Sequence, residues 1–510
     1  MSSPPSLYNE KTLKGSEQDS EVGNEFTIRE LGAGAASNST GILGRMWAVV
    51  KAIDKYGIEV RGIERVLPQE KVPPTSRDWW DNLWLWLAAN CTISSLALGT
   101  LGPSTFGLSG KVSILAVIFF NLLSTFPVAF FSVFGAKLGL RQMTITRFSF
   151  GYWVALFPVV LNIIACLGWS TINTIVGAQA LRAVSTTHQI PTAVAIIIIS
   201  ILSFLAPFFG YKVVHTYERY AWIPIAIIFL IMLGFSAKYM DLGSVTSDED
   251  VTGSVLSFGA AIFGFGVGWC SYAADYTVHM SVDSSSTAIF LLNFLGLNIP
   301  LILVESLGAG LATVTREDWQ TAFTDGGVGG LIGASLSPAK GFGKFCLVLT
   351  ALSIVANSGT VVYIVLSIVG ASHFESWLDT LLVILSYWLS IYCAILAEEH
   401  FIFRKGKWSN YNVDDYMDHT RLPLGVAAAV SLGVGIMGAV LGMAQTWYIG
   451  VIGAKSARKV GDPAFGGDLG FELSLGFTAI TYPILRAIEI HFESPKRRGP
   501  ARIQPYRTFC

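Results

Sequence analysis

From residue 82 to residue 490 the chain alternates long apolar runs with short polar interruptions. A run of 18 or more apolar residues is long enough to cross a hydrocarbon layer of about 30 Å as helix. Punctuated by Gly, Pro and charge, the runs predict ten helices. They cover 82–101, 111–134, 153–182, 191–209, 220–237, 255–277, 286–312, 377–397, 423–446 and 471–490. An eleventh apolar segment, 343–370, lies between the seventh and eighth of them, and its part from Ala351 to Gly370 reads as two half-helices spliced together. The predicted organisation is a disordered polar tail over 1–43, a membrane-proximal segment over 44–81, a transmembrane domain over 82–490 and a second tail over 491–510. Within 44–66, Trp47, Val50, Ile53, Ile58 and Ile63 alternate with Arg45, Lys51, Lys55, Arg61 and Arg65. That pattern fits an amphipathic helix on the membrane surface, and equally a short helix packed under the bundle.

Composition narrows the class. Charged residues are 14% of the 510, and 52% are hydrophobic, whereas soluble domains carry about a quarter charged. The chain is therefore an all-α polytopic membrane protein. A net charge of −1 gives no reason to expect nucleic acid as a partner. Cys91, Cys166, Cys270, Cys346 and Cys393 fall in apolar segments and read as small fillers, with Cys510 at the end of the chain. No cleavable signal peptide is visible in the polar start.

Lys and Arg set the expected orientation. Lys137, Arg141 and Arg147 follow the second span, and Lys212 and Arg219 follow the fourth. Asp241, Asp248, Glu249 and Asp250 follow the fifth, and the loop after the seventh carries Glu317, Asp318 and Asp325. A cytosolic amino terminus puts the basic loops inside and the acidic ones outside. Arg404, Lys405, Lys407, Lys496, Arg497 and Arg498 also belong inside, which requires 343–370 to begin and end outside. Its 28 residues make one helical crossing of about 42 Å, not two. Three outcomes are open: a re-entrant hairpin broken near Asn357-Ser358-Gly359, a straight crossing with inverted downstream topology, or misassembly. One continuous long helix is the expected outcome.

Polar side chains inside spans are costly and so informative. Span one, "LWLAANCTISSLALGTLGP", places Asn90, Thr92, Ser94 and Ser95 ahead of Gly99, Gly102 and Pro103. Span six, "FGAAIFGFGVGWCSYAADY", carries Gly259, Gly264, Gly266 and Gly268 before Trp269. Both read as interrupted helices that expose backbone groups at mid-depth, or as close-packing faces of small residues. In span three, Trp169 and Asn173 stand four residues apart on one helical face. A flat apolar surface and an amide that can donate and accept suit a planar heteroaromatic ligand. A packing Trp beside an Asn bonded to a neighbouring helix fits the same spacing.

Several motifs in order resemble the nucleobase cation symporter-1 family, in its fungal purine-cytosine permease branch. They are "WWDNLWLWLAANCTISSLALGTLGP", "TRFSFGYW", "CLGWSTINTIVGAQAL", "GWCSYAADYTV", "LAEEHFIFRKGKWSNYN" and "GAVLGMAQTWYIG…GDLGFELSLGFTAITYP". The resemblance covers roughly residues 70–490 and implies two inverted five-helix repeats plus two further spans, twelve in all, of which about eleven are present here. It implies a substrate site between the interrupted spans one and six and spans three and eight. Trp169 and Trp269 would sandwich the base across a central cavity, Asn173 and Asn357 would lie on its wall, and Ser95 would lie at the site. The implied activity is uptake of purines and cytosine across the plasma membrane. Another planar ring, such as a B6 vitamer or a secondary metabolite, is the alternative cargo.

The eighth span of the family continues from "ALSIVAN" into "NIPNMY", whereas here Asn357 is followed by "SGTVVYIVLSIVGASHFESWLDT". About 25–30 residues, one span with its loop, are missing relative to that pattern. The family's second asparagine falls on Val361, so a transport-defective isoform also fits. Sodium-coupled relatives place hydroxyls just before the first asparagine, where this chain has Val355 and Ala356. Proton coupling is therefore expected, with Glu218, Asp275 and Glu305 as candidate carriers. No paired carboxylates or nucleophile–base constellation suggests an enzyme. No cofactor is expected, and Asp414, Asp415, Asp418 and His419 read as a solvated acidic loop rather than a metal site.

Overall fold

Interrupted apolar runs of this kind fold as helices broken inside the membrane layer, and the first of them shows how. The computed structural model describes residues 62–71, 76–185, 187–205, 220–243, 251–354, 363–456 and 467–497. The chain divides into Met1–Gly62 and Ile63–Cys510, and the second unit forms the helical bundle. Helix α1 (Ser76–Asn90) ends where Asn90, Cys91 and Thr92 offer no strong helix former, and α2 (Ile93–Ser104) resumes from Thr92 in extended conformation. The two parts meet at a bend of 54°. There follow α3 (Gly110–Leu138), the short α4 (Gln142–Ile145) and α5 (Arg147–Val154), then α6 (Leu156–Ala183), α7 (Thr192–Leu205) and α8 (Trp222–Ser236).

The second half repeats this order. Helix α9 (Thr252–Val267) gives way at Gly268 to a 3-10 segment, Gly268–Tyr276, as α1 gives way to α2. A long α10 (Ser286–Ala312) follows, then α11 (Glu317–Leu336) at the position that α4 and α5 hold in the first half. The acidic stretch after the seventh span is thus a helix, bent where Gly327 adopts φ 59°. Next come α12 (Lys340–Leu352), α13 (Tyr363–Gly370) and α14 (Phe374–Glu398), and outside the repeats α15 (Val426–Gly442), α16 (Val451–Ser456) and α17 (Gly470–Arg497). A two-stranded turn, β1 (Ala444–Gln445) with β2 (Tyr448–Ile449), joins α15 to α16. Among the described residues, seven helical runs are long and apolar enough to cross a membrane, eight with the bent first pair, and Thr192–Leu205 and Val426–Gly442 are shorter apolar helices. These ten match the ten predicted runs, and the run Tyr363–Phe403 takes in α13 as well as α14.

Small residues let the repeats interlock, as membrane helices require when lipid offers no hydrophobic drive. A methyl group at Gly99 of α2 would overlap the Glu305 carbonyl of α10, and one at Gly264 of α9 would overlap the Leu382 carbonyl of α14. The two faces of the bundle differ. On one, Asp241 N–H donates to Thr313 O (3.1 Å) and Lys111 N–H to Leu242 O (3.0 Å), which joins the ends of α8 and α10 to the start of α3. On the other, Val66 N–H donates to Gly139 O (2.9 Å) and Arg147 Nη1 to Tyr416 O (3.1 Å). Residues 62–67 on this second face are not helical, because the segment instead pairs with the end of α3 and, through Arg65 and Asp414, with the loop after α14 (2.8 Å). The expected helix over 44–66 therefore does not extend through its last residues, and residues 44–61 lie outside those described. Lys71 caps α3 by donating to Ala136 O (2.5 Å). Burial, with Arg65 and Lys137 nearby, lowers its pKa to about 8.

The expected continuous helix over 343–370 is not formed. Helix α12 stops at Leu352, where Ser353 turns its hydroxyl back onto Thr350 O (2.7 Å) in competition with further helix. Ser353 and Ile354 are in turn conformation, and residues 355–362, with Val355, Ala356, Asn357, Ser358, Gly359 and Val361, lie outside the described residues. The contacts of α12 and α13 along α6 fall in its Thr171–Ala183 half. Gly177 lies against Ala351 O, Ser367 Oγ donates to Thr171 O (3.4 Å), and Gly370 lies against Ile175. The start of α12, at Lys340 and Lys344, shares a cavity wall with Arg182 and Gln189 at the end of α6. Ala371, after α13, packs on the cluster that holds Leu181 and Ile190. The start of α12 thus lies by the Ala183 end of α6, the end of α13 lies by Ile175, and α14 has Leu381 against Gly168. The break that the re-entrant outcome needs, near Asn357-Ser358-Gly359, lies outside the described residues.

Candidate functional site

Breaking a helix frees backbone carbonyls and amides, and short polar side chains next to the break must satisfy them. At the α1–α2 break Ser95 Oγ donates to Asn90 O (2.6 Å), and Asn90 Nδ2 donates to Trp86 O (3.0 Å). Asn90 Oδ1 then faces the 3-10 segment, where it accepts from Trp269 Nε1 (3.0 Å). From the first turn of α2, Ser94 Oγ donates to Asn173 Oδ1 of α6 (2.5 Å). Ser94, Ser95, Asn90 and Asn173 are all buried. Two sets of hydrogen bonds, Asn173 with Ser94 and Trp269 with Asn90 and Ser95, meet at the adjacent residues Ser94 and Ser95. They so link α6 and the break in span six to the break in span one.

The aromatic residues flank it. The Trp169 ring meets Phe265 of α9 edge-on, with centroids 4.8 Å apart and planes at 85°. Trp269 is held in an aromatic cage, edge-on to Trp86 (5.1 Å) and Tyr272 (5.3 Å) and tilted against Tyr276. Trp86 Nε1 bonds Asn293 of α10. Gly268, the residue before Trp269, lies against the Trp169 indole, with a Cβ position 3.6 Å from its Nε1. Neither indole is among the residues exposed on the outer surface. The structure therefore brings four of the five predicted binding residues, Ser95, Trp169, Asn173 and Trp269, to one region. Asn357, the fifth, lies outside the described residues.

Sequence reasoning missed Ser94 and Asn90 as the residues that join the elements. Their signal was present, since two adjacent hydroxyls and an amide inside an apolar span must find partners.

The candidate proton carriers separate clearly. Glu218 lies outside the described residues. Asp275, at the end of the 3-10 segment, accepts from the Gln142 N–H (2.7 Å) and pairs with Arg141 at 3.7 Å, with 27% of its side chain exposed. Glu305 is fully buried in α10. Its Oε2 accepts from Asn121 Nδ2 of α3 (2.7 Å), while its Oε1 and Asn121 Oδ1 are buried without partners among the described residues.

Asp414, Asp415 and Asp418 engage Arg65 and Arg421, and no metal-ligating cluster occurs among the described residues. A cavity of about 640 Å³ opens away from this site, between the end of α6, α11 and the start of α12.

Likeness to known proteins decides the family. Residues 71–357 match the family described as permeases for cytosine/purines, uracil, thiamine and allantoin. The chain belongs to that family. The match ends at Asn357, where the family's eighth span would continue. The chain is 44% identical to the purine-cytosine permease fcyB of Emericella nidulans, over 86% of this chain and 90% of that protein. The aligned stretch of 472 positions is longer than the share of this chain that it takes in, so part of it lies opposite gaps here. A purine-cytosine permease of Saccharomyces cerevisiae, FCY21, is 38% identical over 85% of this chain and 87% of its own length. The vitamin B6 transporter TPN1 of the same yeast is 28% identical over 92% and 95%. Among solved structures, inward-facing Mhp1 aligns with TM-score 0.60 at 15% identity, over 84% of this chain and 95% of that one. A closed, ligand-bound Mhp1, of the nucleobase-cation-symport-1 family, aligns at 0.57 and 16%, over 84% and 96%. The likeness shows the fold, two inverted five-helix repeats with two added spans. The protein is a transporter rather than an enzyme.

Proposed function

We propose that this chain moves a planar nucleobase, a purine or cytosine, across the plasma membrane by proton symport. The observation that carries the reading is the hydrogen-bonded junction of Asn173, Ser94, Asn90 and Trp269, with Trp169 beside it. It puts amide hydrogens and two indoles where both interrupted spans break. Trp169 and Trp269 stack the base between them, and Asn173 and Asn357 bond its edges. The face that carries Arg65, Lys71, Lys137, Arg141, Arg147 and Arg404 is cytosolic by the positive-inside rule, and the amino terminus lies with it.

Glu305 is the carrier this reading selects. A carboxylate in apolar surroundings with no cation is costly unless it takes a proton. No ionisable residue lies in α2, and none lies between Lys111 and Lys137 of α3; these are the helices that meet Glu305 through Gly99 and Asn121. Uptake of radiolabelled cytosine, with and without a protonophore, tests the proposal. Saturable uptake abolished by the protonophore supports it. Uptake that scales with sodium and ignores external pH between roughly 5 and 8 rejects proton coupling.

A second reading has its own observation. The family match stops at Asn357, and α12 is 13 residues long against 28 for its repeat mate α6. A chain so shortened transports poorly or is retained in the secretory pathway. Insertion of a family-length segment after Asn357 then restores surface expression and uptake. Full cytosine uptake by the chain as it stands refutes this second reading.

A further inference from the structure

Asn173 carries two donors on Nδ2 and two acceptor positions on Oδ1, and which of them a ligand meets depends on how the amide is held. The holding group is Ser94. Its hydroxyl sits in the first turn of α2, and the helix-type acceptor four residues back, Asn90 O, is already taken by Ser95 (2.6 Å). The acceptor left for the Ser94 hydrogen is Asn173 Oδ1, at 2.5 Å. Both side chains are buried, Ser94 at 2% and Asn173 at 7% exposure, so water competes little for the bond. Asn173 Nδ2 has no hydrogen-bond partner among the described residues and is not among the fully buried unpaired atoms, so it remains open to a ligand.

We infer that Ser94 is a positioning residue that fixes the hydrogen-bond polarity of the site. By occupying Oδ1 it turns the Asn173 amide so that only N–H donors face the ligand. The inference rests on the nucleobase reading above and deepens it. The ligand must present an acceptor edge to α6, either a ring nitrogen with a free lone pair or an exocyclic carbonyl. Cytosine offers N3 and O2, and adenine offers its unprotonated ring nitrogens. A ring whose facing edge carries C–H in place of the nitrogen leaves the Asn173 hydrogens buried and unpaired, and is rejected. Ser94→Ala removes the hydroxyl that orients the amide. The amide is then free to turn, and Oδ1 can face the ligand as readily as Nδ2.

The test measures uptake and competition in cells for the full-length wild type, Ser94→Ala and Ser94→Thr, each normalised to surface copies. Cytosine is the labelled substrate. Adenine and its 1-deaza, 3-deaza and 7-deaza analogues are the competitors. For wild type, at least one deaza analogue binds about tenfold or more weaker than adenine, the ordinary size of one lost hydrogen bond to a buried donor. In Ser94→Ala that ratio falls to about twofold, and the loss for cytosine lies in KM rather than in maximal rate. Ser94→Thr, which keeps the hydroxyl, restores the ratio. A merely structural role would lower surface copies or maximal rate and leave the ratio between analogues as it was; that result overturns the inference. So does a Ser94→Ala protein with unchanged ratio and KM. A wild type that takes up cytosine yet binds all the deaza analogues as well as adenine overturns the inference alone. A wild type that reaches the cell surface yet binds neither cytosine nor adenine overturns the nucleobase reading and this inference with it.

Discussion

Single side chains in this protein act through which hydrogen-bond partners they leave free. Asn90 is spent entirely on structure: its amide is fixed by Trp86 O and Trp269 Nε1, and its carbonyl by Ser95. Trp169 packs at right angles to Phe265, with Gly268 against its indole, and is only partly buried. Base stacking on an aromatic surface contributes about 1–3 kcal/mol, so Trp169→Ala should lower cytosine uptake about tenfold or more. Phe119→Ala, on the outer surface of α3 at 60% exposure, should leave uptake within about twofold. Equal losses from the two substitutions would remove Trp169 from the site. Glu305 makes a separate prediction. Glu305→Gln keeps the bond from Asn121 and cannot release a proton, so it should still exchange labelled for unlabelled cytosine but no longer accumulate it against a gradient. Accumulation that survives the substitution would show that another group carries the proton.

Among the elements, helices are positioned by what fits between them. Gly99 admits the Glu305 carbonyl and Gly264 the Leu382 carbonyl, while Gly234 has no atom within 4 Å of its Cβ position. Gly99→Ala and Gly264→Ala should each cost about 1–3 kcal/mol through forced separation of packed backbones. Gly234→Ala should be neutral or slightly stabilising, because alanine loses less backbone entropy on folding. Melting of the detergent-solubilised variants checks the ordering. The cap of α3 by Lys71 supplies a pH test. Its folded pKa of about 8 lies below the ordinary 10.5. Between those values the unfolded chain holds a proton that the folded chain has released, so folded stability rises with pH across that window. Below pH 8 the burial cost of the charge is fully present. Compared with Lys71→Met, wild type should gain roughly 2 kcal/mol between pH 8 and pH 10. A flat difference would mean that Lys71 is solvated.

For the whole molecule the question is topology. The charge bias requires that 343–370 begin and end on one side, so that everything after Gly370 keeps the side that its charges demand. Reporter cysteines at Thr315 and His373 should therefore be labelled by an impermeant reagent from one side, and a cysteine at Lys405 from the other. Labelling of Thr315 and Lys405 from the same side, with His373 on the other, would require an inverted carboxyl-terminal half. The charge bias already asked for this arrangement, yet hydropathy favoured one long helix. Hydropathy counts apolar length and is blind to a hydroxyl such as Ser353 that folds back on its own backbone.

Ten apolar runs, two breaks and the pairing of Trp169 with Asn173 on one helical face are legible in the residues without any structure. Each of these follows from local chemistry: apolar length, clusters of small and polar residues, and the 3.6-residue period. The end of the family pattern at Asn357 is legible only through the resemblance to the family. Packing of the repeats was needed to show that Asn173 is held by Ser94, that Trp269 is held by Asn90 and caged by Trp86, and that Glu305 rather than Asp275 is the buried acid without a cation. Packing also turned the acidic stretch at 317–336 into a helix and stopped α12 at Leu352. These outcomes depend on groups far apart in the chain, 79 residues for Ser94 and Asn173 and 179 for Asn90 and Trp269. A hydrogen bond needs its two atoms within about 3 Å, and no periodicity along a sequence brings such positions together until the repeats have packed.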